Sequence, residues 1–100
     1  MEVYAATVDF PKEELYGLRS QIRRSCVSVP ANIAEGCGRG SDADFARFLH
    51  VSAGSANELQ YHLLLARDLG FLERSKRAKL DAQVDEVKRM LATLTRKLQR

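Results

Sequence analysis

Tryptophan is absent from this 100-residue chain, cysteine and proline occur twice each, and aromatic residues make up only 7%. Two cysteines are too few for a disulfide framework, and in a reducing compartment Cys26 and Cys37 are expected to stay thiols. Two prolines and six glycines exclude collagen, and 45% hydrophobic residues exclude an intrinsically disordered chain. Uninterrupted apolar runs extend over only a few residues and no basic-then-apolar leader opens the chain. A cytoplasmic protein with no membrane partner is therefore expected. No stretch alternates with period two over enough residues to make a strand, which leaves an all-α fold. At this length one domain with a single core is expected, with little surface left for a deep pocket.

What is present is apolar periodicity at steps of three and four. Leu15, Leu18, Ile22, Cys26, Val29 and Ile33 make one stripe, within a helix expected over about 13–36. Pro30 removes a backbone N–H inside it, so a kink is expected, with Ser25 and Ser28 placed to re-bond the freed carbonyls. Three glycines in Gly36-Cys37-Gly38-Arg39-Gly40 are expected to end it. Ser41 with Asp44 three residues on resembles a capping box, opening a helix over about 42–69 that Gly70 stops. Its stripe is Phe45, Leu49, Ser52, Ala56, Leu59, Leu63 and Ala66. Leu80, Val84, Val87, Leu91, Leu94 and Leu98 then carry heptad spacing along a helix over about 75–98. A stub over about 2–9 precedes all three and is too short to be stable alone. The predicted fold is one domain, 1–100: an antiparallel, up-down-up-down four-helix bundle with a truncated first helix and a Pro-kinked second.

The exposed faces carry the functional signal. From Phe48 to Ala66 the only charged residue is Glu58, so the third helix is not expected to have a bare wet side. His50, Gly54, Asn57, Tyr61 and Leu65 project roughly opposite its core stripe and are the candidate subunit interface. Charge is uneven too. The net of +3 places nine Lys/Arg against four Asp/Glu in residues 73–100, while the rest is near neutral. Arg77 with Asp81 and Asp85 with Arg89 are i, i+4 pairs, and Arg96, Lys97 and Arg100 suit a helix C-terminus. Arg74, Lys76, Arg77 and Lys79 instead crowd a helix N-terminus, where the dipole disfavours cations. A phosphate-bearing partner, RNA or DNA, would relieve that repulsion; a solvated charge run is the plainer reading.

Catalytic and metal chemistry are poorly supplied. Cys26 and Cys37 are about 16 Å apart along a straight helix, and His50 and His62 about 18 Å, so no metal site is expected. No serine has a His-Asp pair nearby in sequence, and the glycine-rich turn lacks the strand and Gly-Lys-Ser/Thr ending of a phosphate loop. No enzyme and no cofactor are expected.

A longer pattern runs through Phe10-Pro11-Lys12-Glu13-Glu14-Leu15-Tyr16-Gly17-Leu18, Ser20-Gln21-Ile22-Arg23-Arg24 and Ser28-Val29-Pro30-Ala31-Asn32-Ile33-Ala34-Glu35-Gly36. It continues in Arg39-Gly40-Ser41, Phe45, Arg47-Phe48-Leu49, Gly54-Ser55 and Glu58-Leu59. Over about residues 3–72 the chain resembles the four-helix-bundle proteins encoded in intervening sequences of bacterial 23S ribosomal RNA genes. The resemblance implies a homopentamer without enzymatic activity and with a basic surface for nucleic acid. Arg23, Arg24 and Arg39 fall at the family's basic motif positions, although Arg23 could equally pair with a carboxylate such as Glu58. The accessory protein of diversity-generating retroelements looks similar in fold. It supplies the alternative expectation of an adaptor that docks a reverse-transcriptase-type enzyme without touching nucleic acid. Members usually carry a complete first helix before the Phe-Pro, where this chain has Met1–Asp9.

Overall fold

The computed structural model describes residues 2–8 and 17–99. Among them lie four helices and no strand: α1 (Glu2–Thr7), α2 (Leu18–Cys37), α3 (Asp42–Asp68) and α4 (Arg74–Leu98). The fold is an all-α bundle, elongated to 44 × 24 × 17 Å. Residues 13–16 of the expected second helix, Leu15 among them, lie outside the described residues. Gly17 is the non-helical N-cap, so the expected continuous helix across that position gives way to a start at Leu18. A glycine has no side chain to cap the first turn and is a poor helix former.

Side-chain pairing sets the directions of the long helices. Ser28 and Ser55 hydroxyls are 2.7 Å apart, and Ser52 donates to the Val29 carbonyl at 2.8 Å. On the other side Gln60 donates to Asp85 at 2.8 Å, and Gln99 reaches His50 at 3.4 Å. Residue numbers rising along α3 meet falling numbers on both neighbours, so α2 and α4 each run antiparallel to α3. Both therefore start at the same end of the molecule.

The core is concentrated toward that end. Ile22, Cys26, Leu63 and Ala66 are fully buried there, with Leu18, Leu59, Leu72, Leu80 and Val84 around them and Val3 packed in from α1. A two-turn helix holds no structure by itself, and α2 supplies what α1 lacks. Arg23 donates from Nε to the Thr7 hydroxyl at 3.0 Å and from its second nitrogen to the Tyr4 carbonyl at 3.3 Å. Its guanidinium also lies 4.8 Å from the centre of the Tyr4 ring. Thr7 is fully buried and passes its own proton to the Val3 carbonyl at 3.0 Å.

Toward the other end the heptad stripe of α4 loses its cover. Leu91 is buried, but Leu94 is 36% exposed. The expected core position at Leu94 is thus an open wall, because α1 reaches only the opposite end of α4.

The glycine-rich stretch ends α2 as expected: the helix runs through Gly36 to Cys37, with Gly38 as C-cap. Gly36 is buried against α3, where a Cβ would meet the Phe48 Cβ at 2.9 Å and Phe45 Cδ1 at 3.0 Å. The glycine is there for helix approach, and the chain reverses after it, through Gly40 at φ 83°. Gly36→Ala is expected to lose up to about 2 kcal/mol in a urea titration: overpacking costs about 1–3 kcal/mol and helix propensity returns about 1. Gly38 has negative φ and no side-chain neighbour for its Cβ, so Gly38→Ala should change stability by less than about 0.5 kcal/mol in the same urea titration.

Around Pro30 the side-chain donors differ from the expected ones. Asn32 gives its amide to the Ser28 carbonyl at 2.8 Å and to the Ser28 hydroxyl at 2.9 Å. Ser52 on α3 serves the Val29 carbonyl. Ser28 bonds across to Ser55 instead, joining the two helices at the proline.

Candidate nucleic-acid interface

The common start of α2 and α4 gathers most of the expected cations. Arg24 stands in the second turn of α2, and Arg74, Lys76, Arg77 and Lys79 in the first two turns of α4. Between them lies α1, which contacts both helices. Arg24, Arg74, Lys76 and Lys79 are exposed. No ion pair engages Arg24, Arg74 or Lys76 among the described residues. Lys76 and Lys79 edge a 220 Å³ depression whose floor is Ala5, Ala6 and Leu80.

The other three expected contacts are differently placed. Arg77 is half-buried, its Nε 2.6 Å from Asp81 Oδ2. Burial pushes the Asp81 carboxyl above the ordinary carboxylate range, and the Arg77 guanidinium opposes that shift. Arg77 is therefore held by an acid that needs it. Arg23 does not meet Glu58; it is engaged with Thr7 and Tyr4, as above. Arg39 pairs with Glu35 at 2.7 Å and lies 4.9 Å from the Phe48 ring centre. Fifteen residues separate it from Arg24, about 22 Å along a helix, so it stands at the opposite end of the bundle.

One predicted pair on α4 is formed and the other is not. Arg77 meets Asp81, but Asp85 accepts from Gln60, whose carbonyl oxygen accepts from Lys88 at 2.9 Å. Arg89 consequently has no ion pair among the described residues.

Of the candidate interface on α3, His50, Gly54, Asn57 and Tyr61 are exposed, Tyr61 by 62%. Among the described residues nothing lies within 4 Å of a Cβ built on Gly54. Leu65 departs from the group: it is half-buried against the core, because its angular position leans toward Ala66. Val51, 48% exposed beside His50, extends the neutral face and was missed because its β-branched type suits a core position equally well.

The soft-ligand residues stay apart. Cys26 is buried and burial pushes its thiol up, which disfavours the reactive thiolate; Cys37 is exposed. His62 is buried, with Nε2 3.4 Å from a Glu58 carboxylate oxygen. Among the described residues no three His, Cys, Asp or Glu side chains cluster as metal ligands. No described helix is long and apolar enough to cross a membrane.

The family model described as "23S rRNA-intervening sequence protein" matches residues 1–93. The chain belongs to that family. A solved structure from Bacteroides thetaiotaomicron, a protein of unknown function from the S23 ribosomal protein family, is similar at 26% identity and a TM-score of 0.82. That similarity covers 94% of this chain and 85% of the other. No curated protein matches. The 23S rRNA-intervening sequence match reaches well into α4, where the sequence pattern offered only periodicity and charge. The motif from Ser28 to Gly36 has a packing explanation in this family member. Ser28 and Asn32 join α2 to α3 beside the proline, Gly36 admits Phe48, and Glu35 holds Arg39.

Proposed function

We propose that this member of the 23S rRNA-intervening sequence family is a non-enzymatic helical scaffold that binds RNA or DNA phosphates through the common start of α2 and α4. The observation that carries this reading is the set of exposed cations Arg24, Arg74 and Lys76, unpaired among the described residues, with Lys79 beside them. They stand on first and second helical turns, where the backbone dipole adds positive potential to their own. Such a surface attracts a polyanion by charge and not by base readout. The test is a gel shift with single-stranded and duplex RNA at two salt concentrations. Binding at low salt that collapses at high salt supports the proposal. Absence of binding at low salt favours the alternative, a protein adaptor without nucleic-acid contact.

The scaffold is proposed to act as a homo-oligomer, a pentamer as the family resemblance implies, through His50, Gly54, Asn57 and Tyr61. An exposed glycine in the middle of a helix costs about 1 kcal/mol relative to alanine, and no contact among the described residues offsets that. A neighbouring subunit approaching the bare backbone would. Gly54→Arg is expected to reduce the mass found by light scattering at micromolar concentration to that of a monomer, with the helical circular dichroism unchanged. A monomeric wild-type protein would contradict the assembly.

A further inference from the structure

Helix α1 is seated by Val3 and Thr7, both buried, and it presents Tyr4 and Ala5 outward. The Tyr4 side chain is 38% exposed, yet it is held. The Arg23 guanidinium lies 4.8 Å from the ring centre, where the ring quadrupole attracts it. That guanidinium is fixed in turn by the Thr7 hydroxyl at 3.0 Å and the Tyr4 carbonyl at 3.3 Å. An aromatic ring already restrained before a ligand arrives loses little side-chain entropy when the ligand stacks on it.

Cations flank this ring from both neighbouring helices. Ala5, the next residue, forms with Ala6 the floor of the depression edged by Lys76 and Lys79 of α4. On the α2 side Arg24 follows Arg23, and Arg19 stands one turn earlier, about 40° around the helix from Arg23. Arg19 is half-buried and has no ion pair among the described residues. A helix with its side chains is about 10–12 Å across, so α1 spaces the two basic walls and carries Tyr4 between them. Helix α1 contacts α2 and α4 but not α3, which keeps the ring clear of the α3 face proposed for assembly.

We propose that this basic end takes single-stranded nucleic acid, one unpaired base stacking on Tyr4 while neighbouring phosphates meet the flanking cations, a reading that rests on the phosphate-binding function proposed above. Every base has a π-face, so the contact tolerates sequence. In a duplex each base is already stacked between its neighbours, and the ring therefore selects an unpaired strand, loop or end. Arg23 is a positioning residue in this arrangement: it orients the Tyr4 ring instead of meeting phosphate.

The test is fluorescence anisotropy of the full chain with a labelled oligouridine of about twelve nucleotides, within the usual site size, and with an RNA duplex of the same length. Tyr4→Ala is expected to weaken single-strand binding by about fivefold or more, the lower bound for base–aromatic stacking. Duplex binding should stay within about twofold and both salt slopes should be unchanged, since no phosphate contact is removed. Tyr4→Phe should keep single-strand affinity, because the ring and not the hydroxyl stacks. Tyr4→Leu, which keeps apolar bulk without a π-face, should behave as Tyr4→Ala. Every variant retains the Tyr4 carbonyl that Arg23 binds, and circular dichroism verifies the fold. Equal losses on single strand and duplex, or wild-type affinity for Tyr4→Leu, overturn the proposal. A strand carrying 5-iodouridine should photo-cross-link to Tyr4; cross-links confined to other residues overturn it. Wild-type binding that is steep in salt but indifferent to Tyr4→Ala overturns the stacking alone. Absence of RNA binding overturns the phosphate reading and the stacking together.

Discussion

Ile22→Ala is expected to destabilise the protein by about 3 kcal/mol, whereas Leu94→Ala changes stability by less than about 1. Ile22 is fully buried among Leu18, Leu59 and Leu63, where removed methylenes leave a cavity that the surrounding helices cannot collapse. Leu94 lines an apolar groove between α2 and α4 at 36% exposure, so truncating it forfeits little contact. A domain of this size has about 5–15 kcal/mol in total, and each kilocalorie moves its melting temperature by about 4–8 °C. Ile22→Ala should thus melt roughly 12–24 °C below wild type. Hydrogen exchange should follow the same gradient, slowest where α1, α2 and α3 enclose Ile22 and Leu63, faster beyond Leu91. Equal melting temperatures for the two variants would mean that the groove is closed in solution.

The second large effect is electrostatic. Replacing Arg24, Arg74, Lys76 and Lys79 together by glutamine is expected to lower affinity for RNA without altering the fold, because all four side chains are exposed. Each phosphate neutralised by a cation releases counterions, giving a logarithmic salt slope of about −0.7 per contact on single strands and about −0.9 on duplex DNA. Four contacts therefore contribute about −3 to the slope. Raising salt fourfold should cost the wild type about fifty- to a hundredfold more affinity than it costs the variant. Arg39→Gln is the internal control: it stands at the far end of the molecule and already pairs with Glu35, so its loss should leave affinity within about twofold.

What the sequence disclosed depended on the range of the interaction. Ser41 could be read because its cap is local: the hydroxyl accepts from the Asp44 backbone N–H at 3.2 Å, three residues away. Gly70 could be read because a left-handed residue after a helix needs no partner, and it sits at φ 81°. The stripes on α2 and α3 named Ile22, Cys26, Leu49, Leu59 and Leu63 as core, since one face of a helix has one fate.

Tertiary partners were beyond that reach. Arg23 looked like a phosphate ligand because its true acceptors, Thr7 and the Tyr4 carbonyl, are sixteen and nineteen residues away, and one is backbone. Gly36 was legible only as part of the glycine-rich end of α2, because its close approach to Phe48 is a tertiary contact that local spacing does not show. Asp85 was assigned to Arg89 by spacing, but Gln60 of the neighbouring helix competes for it at 2.8 Å. Leu94 carried the core period yet is 36% exposed, with no partner helix among the described residues, which no periodicity can reveal. The basic excess of α4 was legible as composition; its division into Arg77 held by Asp81 and Arg74 and Lys76 left exposed required coordinates.

The most direct test of the central claim is the RNA affinity of the wild-type chain and of the four-glutamine variant, measured by fluorescence anisotropy across a salt series. Phosphate contact by these four cations predicts a steep wild-type dependence and a slope shallower by about 3 for the variant. Coincident slopes, or wild-type binding indifferent to salt, would contradict it.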